Sequence, residues 1–307
     1  MAPRAPRTIA RLPGAPGVYR FRDAQDNVLY IGRATALRSR VASYWSDLRE
    51  RSHLAPMVAR IVRIEAVTCD SLHEAAWLER NLLESALPPW NRTPGGQESP
   101  VYIRLDGRPA SPQLTVEHLR SPADHLQHFG PYLGGLRARQ AVSALNRILP
   151  LAYTGTRLRG GQLDMARARG FADVDRAELV RVLAAVLQRE PRAVAQARAE
   201  LEQLRSRAAE ALAFELAGRI HDEIQALDWV TCPQRVTTTE TGDFDVCGWS
   251  SEMLVHFRIR AGRLCQWSQR SCTRSRAAPL LAATPAAWTD YAQRNAELAA
   301  ALAEPAT

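Results

Sequence analysis

The chain has 307 residues, enough for two or three small domains. A hydrophobic fraction of 46% and a charged fraction of 23% are typical of a globular protein. No apolar run approaches the roughly 18 residues that a transmembrane helix needs, which excludes that class. The five cysteines are odd in number and form no CxxC pair, so a disulfide framework or zinc knuckle is not expected. The basic N-terminal stretch lacks the apolar core of a secretory signal, and we expect a cytoplasmic protein.

The positive charge is concentrated near the N-terminus. All 40 basic residues are arginine, and the net charge is +8. Codon bias in a GC-rich genome explains the choice of arginine, but it explains neither the net charge nor its location. Residues 1–60 contain 11 arginines against four acidic residues, a local net charge of +7. Because the planar guanidinium suits phosphate groups, this excess indicates a polyanionic partner such as nucleic acid.

A β-hairpin is predicted first along the chain. The apolar runs 17–22 and 28–31 flank the turn-forming segment DAQDN. Tyr19 and Tyr30 then lie on paired strands, and the second run stops close to a Gly-Arg pair. Tyrosine is also simply a good strand residue, so the hairpin alone does not assign these side chains a function.

Three further elements complete an α/β unit of roughly 95 residues. An amphipathic helix is predicted by apolar residues at helical spacing, namely Leu37, Val41 and Tyr44. The segment RIVRIEAVTC predicts a third strand. Ser71 and Glu74 form a capping box, so a second helix should run over 71–87 and end before two prolines.

The remainder of the chain reads as mostly helical with a β-rich end. VYIRL and QLTVEHL predict strands, and a helix is predicted over 134–149. A capping box at Asp175 opens a helix, and a long helical segment after Glu190 should reach about Leu227. Its apolar face is suited either to intramolecular packing or to a partner. Alternating strands are expected over 237–270, before a loosely held Ala- and Pro-rich end.

Glu79 occupies an unusual position on the predicted 71–87 helix. At 100° per residue it falls in the middle of an apolar face formed by Leu72, Ala75, Ala76, Leu82, Leu83 and Ala86. Glu74 and Glu84 point elsewhere. A carboxylate on an apolar face is costly unless it is paired or bound to a metal. Glu79 is therefore either a structural ion-pair partner of an arginine or a ligand for magnesium.

Four segments in order carry a family resemblance. LPGAPGVYRF, LYIGRA, LRSRVASY and WLERNLLESALPPWN closely resemble the GIY-YIG nuclease domain of the UvrC family over roughly residues 12–104. The resemblance implies an α+β fold whose first domain is a three-stranded antiparallel sheet flanked by helices. It extends to FGPYLGGLRARQ, to DFDVCGW through RAGRLCQW, and to 208–227, which is similar to the UVR motif, a helical hairpin that contacts UvrB.

The resemblance is to the short, Cho-type members of that family. It implies a mostly helical region after the nuclease domain and a short β-rich C-terminal segment. The predicted division is 1–104 for the nuclease domain, 105–174 for a connecting segment, 175–230 for the helical region with the UVR-like hairpin, 231–275 for the β-rich segment and 276–307 for the tail.

Residue roles follow from the resemblance alone. It implies that Glu79 is the sole protein ligand of one divalent ion, Mg²⁺ or Mn²⁺. It implies that Tyr19 and Tyr30 are the paired tyrosines, one of which handles the proton of the attacking water. It also implies that Arg40 and Tyr44 stabilise the phosphate and the transition state. Four further residues are implied to contact DNA or support that contact, namely Gly32, Arg33, Arg38 and Asn91.

The chain departs from the family pattern at three places. Arg33 stands where the family usually has lysine, and arginine acts only through its fixed charge. Gly218 and His221 replace the usual small residue and arginine of the UVR motif. The family's cysteine cluster is missing from this chain, so no iron–sulfur cluster is expected. We expect Arg33, Arg40 and the metal to lower the tyrosine pKa and favour the phenolate.

Two functions remain as hypotheses. The first is a structure- or damage-specific DNA endonuclease that uses one metal ion to make a single 3′-side incision in double-stranded DNA during nucleotide excision repair. The second is a non-catalytic accessory module that binds DNA or UvrB. A membrane partner is not expected under either hypothesis.

Overall fold

A computed structural model describes residues 6–46, 52–93, 99–120, 123, 125–168, 170, 174–238 and 241–304. The chain divides into two compact units. Unit 1 is discontinuous and consists of residues 1–97 and 234–307, and unit 2 consists of residues 98–233. Residues 1–97 of the predicted nuclease domain thus share one unit with the residues from 234 onward. In the described part of the chain, no helix combines the length and apolar character needed to cross a membrane.

The first half of unit 1 contains the expected α/β fold. Its strands are β1 (Gly17–Arg22), β2 (Val28–Ala34) and β3 (Arg63–Thr68), and its helices are α1 (Leu37–Ser46), α2 (Ala55–Val58) and α3 (Leu72–Ser85). The sheet is antiparallel in the order β2-β1-β3, which confirms the predicted hairpin and third strand. One face of the sheet packs on α1 through Leu37, Val41 and Tyr44, as their helical spacing predicts.

Helix α3 begins at the predicted cap but buries more than the predicted face. The Ser71 hydroxyl accepts the N–H of Glu74 at 3.0 Å. The Glu74 carboxylate accepts the N–H of Asp70 at 2.6 Å and that of Arg235 at 2.9 Å, and it is fully buried. The prediction that Glu74 points away from the core is therefore wrong. Leu72, placed on the apolar face, is instead 45% exposed. Glu74 is buried because α3 packs against two layers, β1–β2 and the C-terminal sheet.

The C-terminal part of unit 1 forms a second antiparallel sheet. Its strands are β7 (Phe244–Ser250), β8 (Met253–Arg260) and β9 (Arg263–Ser271), in that order, followed by α9 (Arg274–Ala282) and α10 (Thr289–Ala303). Helix α10 approaches β7 so closely that a Cβ on Gly248 would lie 2.0 Å from the Ala292 carbonyl. The expectation of a loosely held end is wrong for the described residues up to 304, because Tyr291 and Asn295 on α10 are buried.

Buried polar contacts join the two halves of unit 1. The Asn295 amide accepts the N–H of Thr68 at 2.7 Å, which fixes α10 against β3. On α3, Asn81 donates to the Val236 carbonyl at 3.1 Å and accepts from Arg263 at 3.0 Å. A buried amide that lacked these partners would carry a desolvation cost, so the contacts fix how the halves fit together.

An ion pair lies at the centre of this junction. Arg20 in β1 and Glu65 in β3 are opposite residues and are both buried, and the Arg20 Nε bonds to the Glu65 carboxylate. The Arg20 Nη1 donates to the Trp267 carbonyl of β9 at 2.7 Å, and its guanidinium carbon lies 3.9 Å from the centre of the Trp267 ring. Arg20 therefore connects the nuclease sheet to the C-terminal sheet.

Unit 2 is a sheet covered by helices. It comprises β4 (Pro100–Asp106), β5 (Gln113–Glu117), β6 (Leu126–Leu133), α4 (Gly135–Ile148), α5 (Gly161–Ala168), α6 (Arg176–Leu187), α7 (Pro191–Glu210) and α8 (Phe214–Thr231). The antiparallel order is β5-β4-β6. The predicted helices over 134–149 and from Asp175 are confirmed, and Asp175 caps α6 by accepting the N–H of Ala177. Strand β6 and helix α5 were not predicted, and β4 crosses the predicted boundary at residue 104.

The predicted long helix is two helices joined by a tight turn. The chain leaves α7 at Glu210 and re-enters a helix at Phe214, and Leu212 adopts the left-handed region with φ 57°. Helices α7 and α8 pack against each other, and Leu201, Ile220 and Leu227 lie in the core of unit 2. The apolar face over 201–227 is therefore used mainly for intramolecular packing.

Replacing Glu65 by alanine should lower the free energy of unfolding by about 3–5 kcal/mol, because it leaves the buried Arg20 guanidinium without its counter-charge. Glu65→Leu combined with Arg20→Met should cost less, since the buried guanidinium is removed with its counter-charge and the other two partners of Glu65, Arg22 and Arg63, keep Asp26. Urea denaturation measures both variants. Glu84→Ala, which removes a partly exposed ion-pair partner, is the control and should cost about 0–1 kcal/mol. Equal losses for Glu65→Ala and Glu84→Ala would contradict this reading.

Candidate active site

Three tyrosines meet between the nuclease sheet and α1. Tyr19 lies in β1, Tyr30 in β2 and Tyr44 in α1, with ring centres 6.0–6.2 Å apart. The hydroxyls of Tyr19 and Tyr44 are 2.8 Å apart and form a hydrogen bond. Tyr19 and Tyr44 are fully buried, whereas Tyr30 is partly exposed. Sequence reasoning did not foresee the Tyr19–Tyr44 bond, although Tyr44's place on the buried face of α1 was its signal.

Gly32 allows this arrangement. In the β1–β2 register Tyr19 lies opposite Gly32, and Tyr30 lies opposite Phe21. A Cβ on Gly32 would stand 2.5 Å from the Tyr19 hydroxyl and 2.7 Å from the Tyr30 ring. Because neither ring could keep its place beside a larger residue, glycine at this position is required by the tyrosines themselves.

Burial sets the ionisation of the cluster. It raises the pKa of Tyr19, Tyr30 and Tyr44 well above their ordinary value of 10. The positive charge of Arg40, whose guanidinium carbon lies 5.5 Å from the Tyr44 ring centre, opposes this shift without reversing it. In the protein alone, desolvation of the charged form outweighs the attraction of Arg40, and the statement that Arg33, Arg40 and a bound metal together favour the phenolate stays a prediction.

Glu79 lies beside the end of β2. Its Oε1 accepts the backbone N–H of Arg33 at 3.1 Å, and its Oε2 lies 3.5 Å from the Arg33 Nε. The Glu79 side chain is 22% exposed, and burial raises its pKa against the opposing effect of Arg33. Its charge also acts on Tyr30 and on Arg40. Glu79 is thus half-buried near the tyrosine cluster with one side open to solvent.

Asn91 and Arg38 contact backbone. The Asn91 amide donates to the Ile31 carbonyl at 2.8 Å and accepts the Ile31 N–H at 3.0 Å, as a neighbouring strand would. The Arg38 Nε donates to the Leu12 carbonyl at 2.7 Å, although the residue is exposed. Asn91 therefore provides hydrogen-bond partners for the Ile31 backbone at the outer edge of β2, between Tyr30 and Gly32. These bonds hold that part of the strand in place.

The surroundings of Glu79 suit a hard cation that takes only one or two ligands from the protein. In the described part of the chain, no three histidine, cysteine or acidic side chains lie together as a metal cluster. A single half-buried carboxylate with an open side fits Mg²⁺ or Mn²⁺, which keep several waters and take one or two carboxylates. Glu79 is the residue that would hold such an ion.

Comparison with known proteins defines the class of this domain. Residues 15–92 match the sequence profile of the UvrC-like GIY-YIG domain. The match covers β1 to α3 and includes Tyr19, Tyr30, Arg40, Tyr44 and Glu79. The first part of unit 1 is thus a UvrC-like GIY-YIG domain, as its four sequence segments predict.

Over most of its length the chain is similar to UvrABC system protein C. It is 32% identical over 271 residues to that protein from Symbiobacterium thermophilum, covering 82% of this chain and 42% of the relative. It is 32% identical over 272 residues to that of Geobacter metallireducens, covering 82% of this chain and 43% of the relative. The chain spans less than half the length of these relatives.

The buried tyrosines should make the protein less stable in alkali. Above about pH 10 the unfolded chain loses phenolic protons that the folded protein keeps, so the free energy of unfolding should fall as pH rises. In urea denaturation, a triple Tyr19→Phe, Tyr30→Phe, Tyr44→Phe variant should show a shallower fall than the wild type.

Phe21→Leu removes a neighbouring ring that has no hydroxyl, and it is the control for that experiment. It should lower stability at every pH and leave the alkaline slope unchanged. If the triple variant shows the wild-type slope, the pKa of the three tyrosines is not raised in the folded protein.

Proposed function

We propose that the protein is a metal-dependent DNA endonuclease of nucleotide excision repair that makes a single incision on the 3′ side of damage in double-stranded DNA. The observation that carries this proposal is the position of Glu79. A half-buried carboxylate lies beside Arg33 and acts on Tyr30 and Arg40 within a UvrC-like GIY-YIG domain. The named relatives support a role in the UvrABC system.

Four charged residues of the site have separate roles in the proposed reaction. Glu79 would hold one divalent ion, which when bound supplies Lewis-acid stabilisation to the scissile phosphate. Arg40, half-buried beside the tyrosines, places a fixed positive charge where negative charge develops on the phosphate oxygens. Arg33, which is exposed at the end of β2, orients the Glu79 carboxylate through its N–H and its guanidinium. Arg38 adds a further positive charge on the exposed side of α1.

The tyrosines and Arg40 form one cluster. The Tyr19 and Tyr44 hydroxyls are hydrogen-bonded at 2.8 Å, the Tyr30 ring centre lies 6.1 Å from that of Tyr44, and the charge of Arg40 acts on all three. Because Tyr30 alone among the three is partly exposed, it is the tyrosine placed to contact the attacking water. All three are protonated at neutral pH in the protein alone, so the Tyr30 phenol can donate a hydrogen bond to water or phosphate, and it would act as a base only with cationic groups beside it that lower its pKa.

Glu79→Gln should lower magnesium-dependent nicking of supercoiled plasmid by at least about 10²-fold, the range expected when a principal electrostatic group is removed. The glutamine keeps an acceptor for the Arg33 N–H, so fold and DNA affinity should change little. Thermal unfolding and fluorescence anisotropy with labelled DNA measure these controls.

Glu84→Gln is the matched control on the same helix. Glu84 is exposed and pairs with Arg80 and Arg263, and its replacement should leave nicking within a factor of a few. A Glu79→Gln variant that nicks like the wild type would refute the assignment. A folded wild-type protein that binds DNA but never nicks it would instead favour the non-catalytic accessory module.

We further propose that UvrB binds at the turn between α7 and α8. The face of the hairpin that packs inward is already used in unit 2. The turn, in contrast, exposes three large apolar side chains, with Leu212 73%, Phe214 67% and Leu216 39% exposed. Exposed apolar groups clustered at one tip are typical of a docking site, and this tip lies inside the UVR-like segment 208–227.

Leu212→Ala combined with Phe214→Ala should weaken binding to purified UvrB by at least about tenfold, since each lost apolar anchor costs about 1 kcal/mol or more. Surface plasmon resonance measures the affinity, and plasmid nicking without UvrB should not change. Leu119→Ala, which removes an equally exposed leucine elsewhere in unit 2, is the control. Unchanged binding in the double variant would exclude the turn as the docking site.

A further inference from the structure

The last turn of α10 is bound by an arginine from the beginning of the chain. Arg11 ends a 3₁₀ turn over Arg7–Arg11. Its Nη1 donates to the Ala301 carbonyl at 2.9 Å and to the Glu304 carbonyl at 2.7 Å. Carbonyls at a helix C-terminus have no acceptor role within the helix and carry its partial negative charge, so a guanidinium is favourable there. Arg11 therefore caps the C-terminal end of α10.

The cap is made to backbone atoms rather than to the side chain of Glu304. The Glu304 carboxylate lies 3.9 Å from the Arg11 Nη2 and is 65% exposed, so this ion pair contributes little. One nitrogen, Nη1, makes both carbonyl contacts. The contact thus depends on a cationic donor at residue 11 and not on the identity of residue 304.

The next four residues along the chain cap a second helix, at the N-terminus of α1. The Ala15 carbonyl accepts the N–H of Leu37 at 3.0 Å, and the Pro13 carbonyl accepts the N–H of Arg38 at 3.1 Å. The Leu12 carbonyl accepts the Arg38 Nε at 2.7 Å. Because the first N–H groups of a helix have no acceptor within it, this segment fixes where α1 begins.

Apolar packing connects the same elements. Leu12 is fully buried and lies in one hydrophobic core with Leu37 and Tyr44 of α1. Leu302, in the last turn of α10, is buried in that core, and Leu298 packs against it. The end of α10 and the start of α1 therefore share the core that holds the tyrosine cluster.

Helix α1 carries two residues of the candidate site. Arg40 and Tyr44 lie about one and two helical turns after Leu37, so they move with the start of the helix. The Tyr44 hydroxyl is 2.8 Å from that of Tyr19, and the Arg40 guanidinium carbon lies 5.5 Å from the Tyr44 ring centre. A shift of about 1 Å in such a site can cost about 10²-fold in rate.

We propose that Arg11 is a positioning residue of the candidate active site, which ties the end of α10 to the start of α1 and so holds Arg40 and Tyr44 in place. The catalytic consequence rests on the proposed function. Because Arg11 acts here through backbone carbonyls and not through the substrate, its loss should lower kcat and leave KM unchanged.

The first test is hydrogen–deuterium exchange of the full chain, read by peptide mass spectrometry. Arg11→Ala should speed exchange in residues 37–46 at least about tenfold and leave α3 unchanged, because the loss of the cap loosens α1 locally. Arg11→Lys should restore most of the protection, since an ammonium has three donors for the two carbonyls. Unchanged exchange in residues 37–46, or equal acceleration in α3, would overturn the proposal.

Two variants are matched controls. Glu304→Ala removes the exposed carboxylate and keeps the backbone carbonyl, so exchange and nicking should match the wild type. Arg294→Ala removes an ion pair of α10 with Asp70, which keeps Arg235, and it should leave exchange in residues 37–46 unchanged. If either control loosens α1 as Arg11→Ala does, the assignment to the Arg11 cap is wrong.

The kinetics of plasmid nicking provide the catalytic readout. Arg11→Ala should lower kcat at least about tenfold with KM within about twofold, and Arg11→Lys should recover most of kcat. An unchanged kcat would overturn the positioning role, and so would a raised KM at unchanged kcat, which would indicate direct contact between Arg11 and DNA. A wild-type protein that does not nick DNA would refute the proposed function, and the exchange measurement would then decide by itself whether Arg11 holds α1.

Discussion

The Arg20–Glu65 ion pair is the contact on which the architecture of unit 1 depends. Two opposite charges are buried on neighbouring strands, and Arg20 needs Glu65 because an unpaired charge in that environment is costly. Burial lowers the pKa of Arg20 to about 10, so the guanidinium remains charged at neutral pH. Its remaining donors are then available to β9, through the Trp267 carbonyl and ring. The C-terminal sheet is thereby fixed behind the nuclease sheet, and α3 is enclosed between them.

The enclosure of α3 explains where sequence reasoning succeeded and where it failed. The hairpin, the helix at Leu37 and the capped start of α3 depend on local patterns of apolar and capping residues, and they could be predicted. The burial of Glu74 could not, because its partner Arg235 lies 161 residues further along the chain. A helical wheel assumes that a helix buries one face, whereas α3 packs against a layer on each of two faces.

The same contrast applies to the candidate site. Tyr19, Tyr30, Arg40, Tyr44 and Glu79 could be selected from the sequence by their order and spacing, and the UvrC-like GIY-YIG match covers all five. Their ionisation could not be predicted, since it depends on how completely α1 covers the rings. Burial fixes the positions of the tyrosines, and it also raises the pKa of their hydroxyls. The cluster is therefore well ordered, but its hydroxyls do not readily lose a proton. Gly32 shows the matching steric constraint, since the closeness of the rings leaves no space for a side chain.

The discontinuity of unit 1 has a consequence for biosynthesis. Residues 1–97 leave the ribosome well before residues 234–307 are made, because all of unit 2 is translated between them. Until β9 arrives, Arg20 lacks its Trp267 contacts and the outer layer over α3 is missing. Unit 2, which is continuous in sequence, can complete its own core in that interval. The elements that carry the candidate site, β1 to α3, are thus synthesised before the layer that covers α3, and they lack that layer until residues 234–307 have been made.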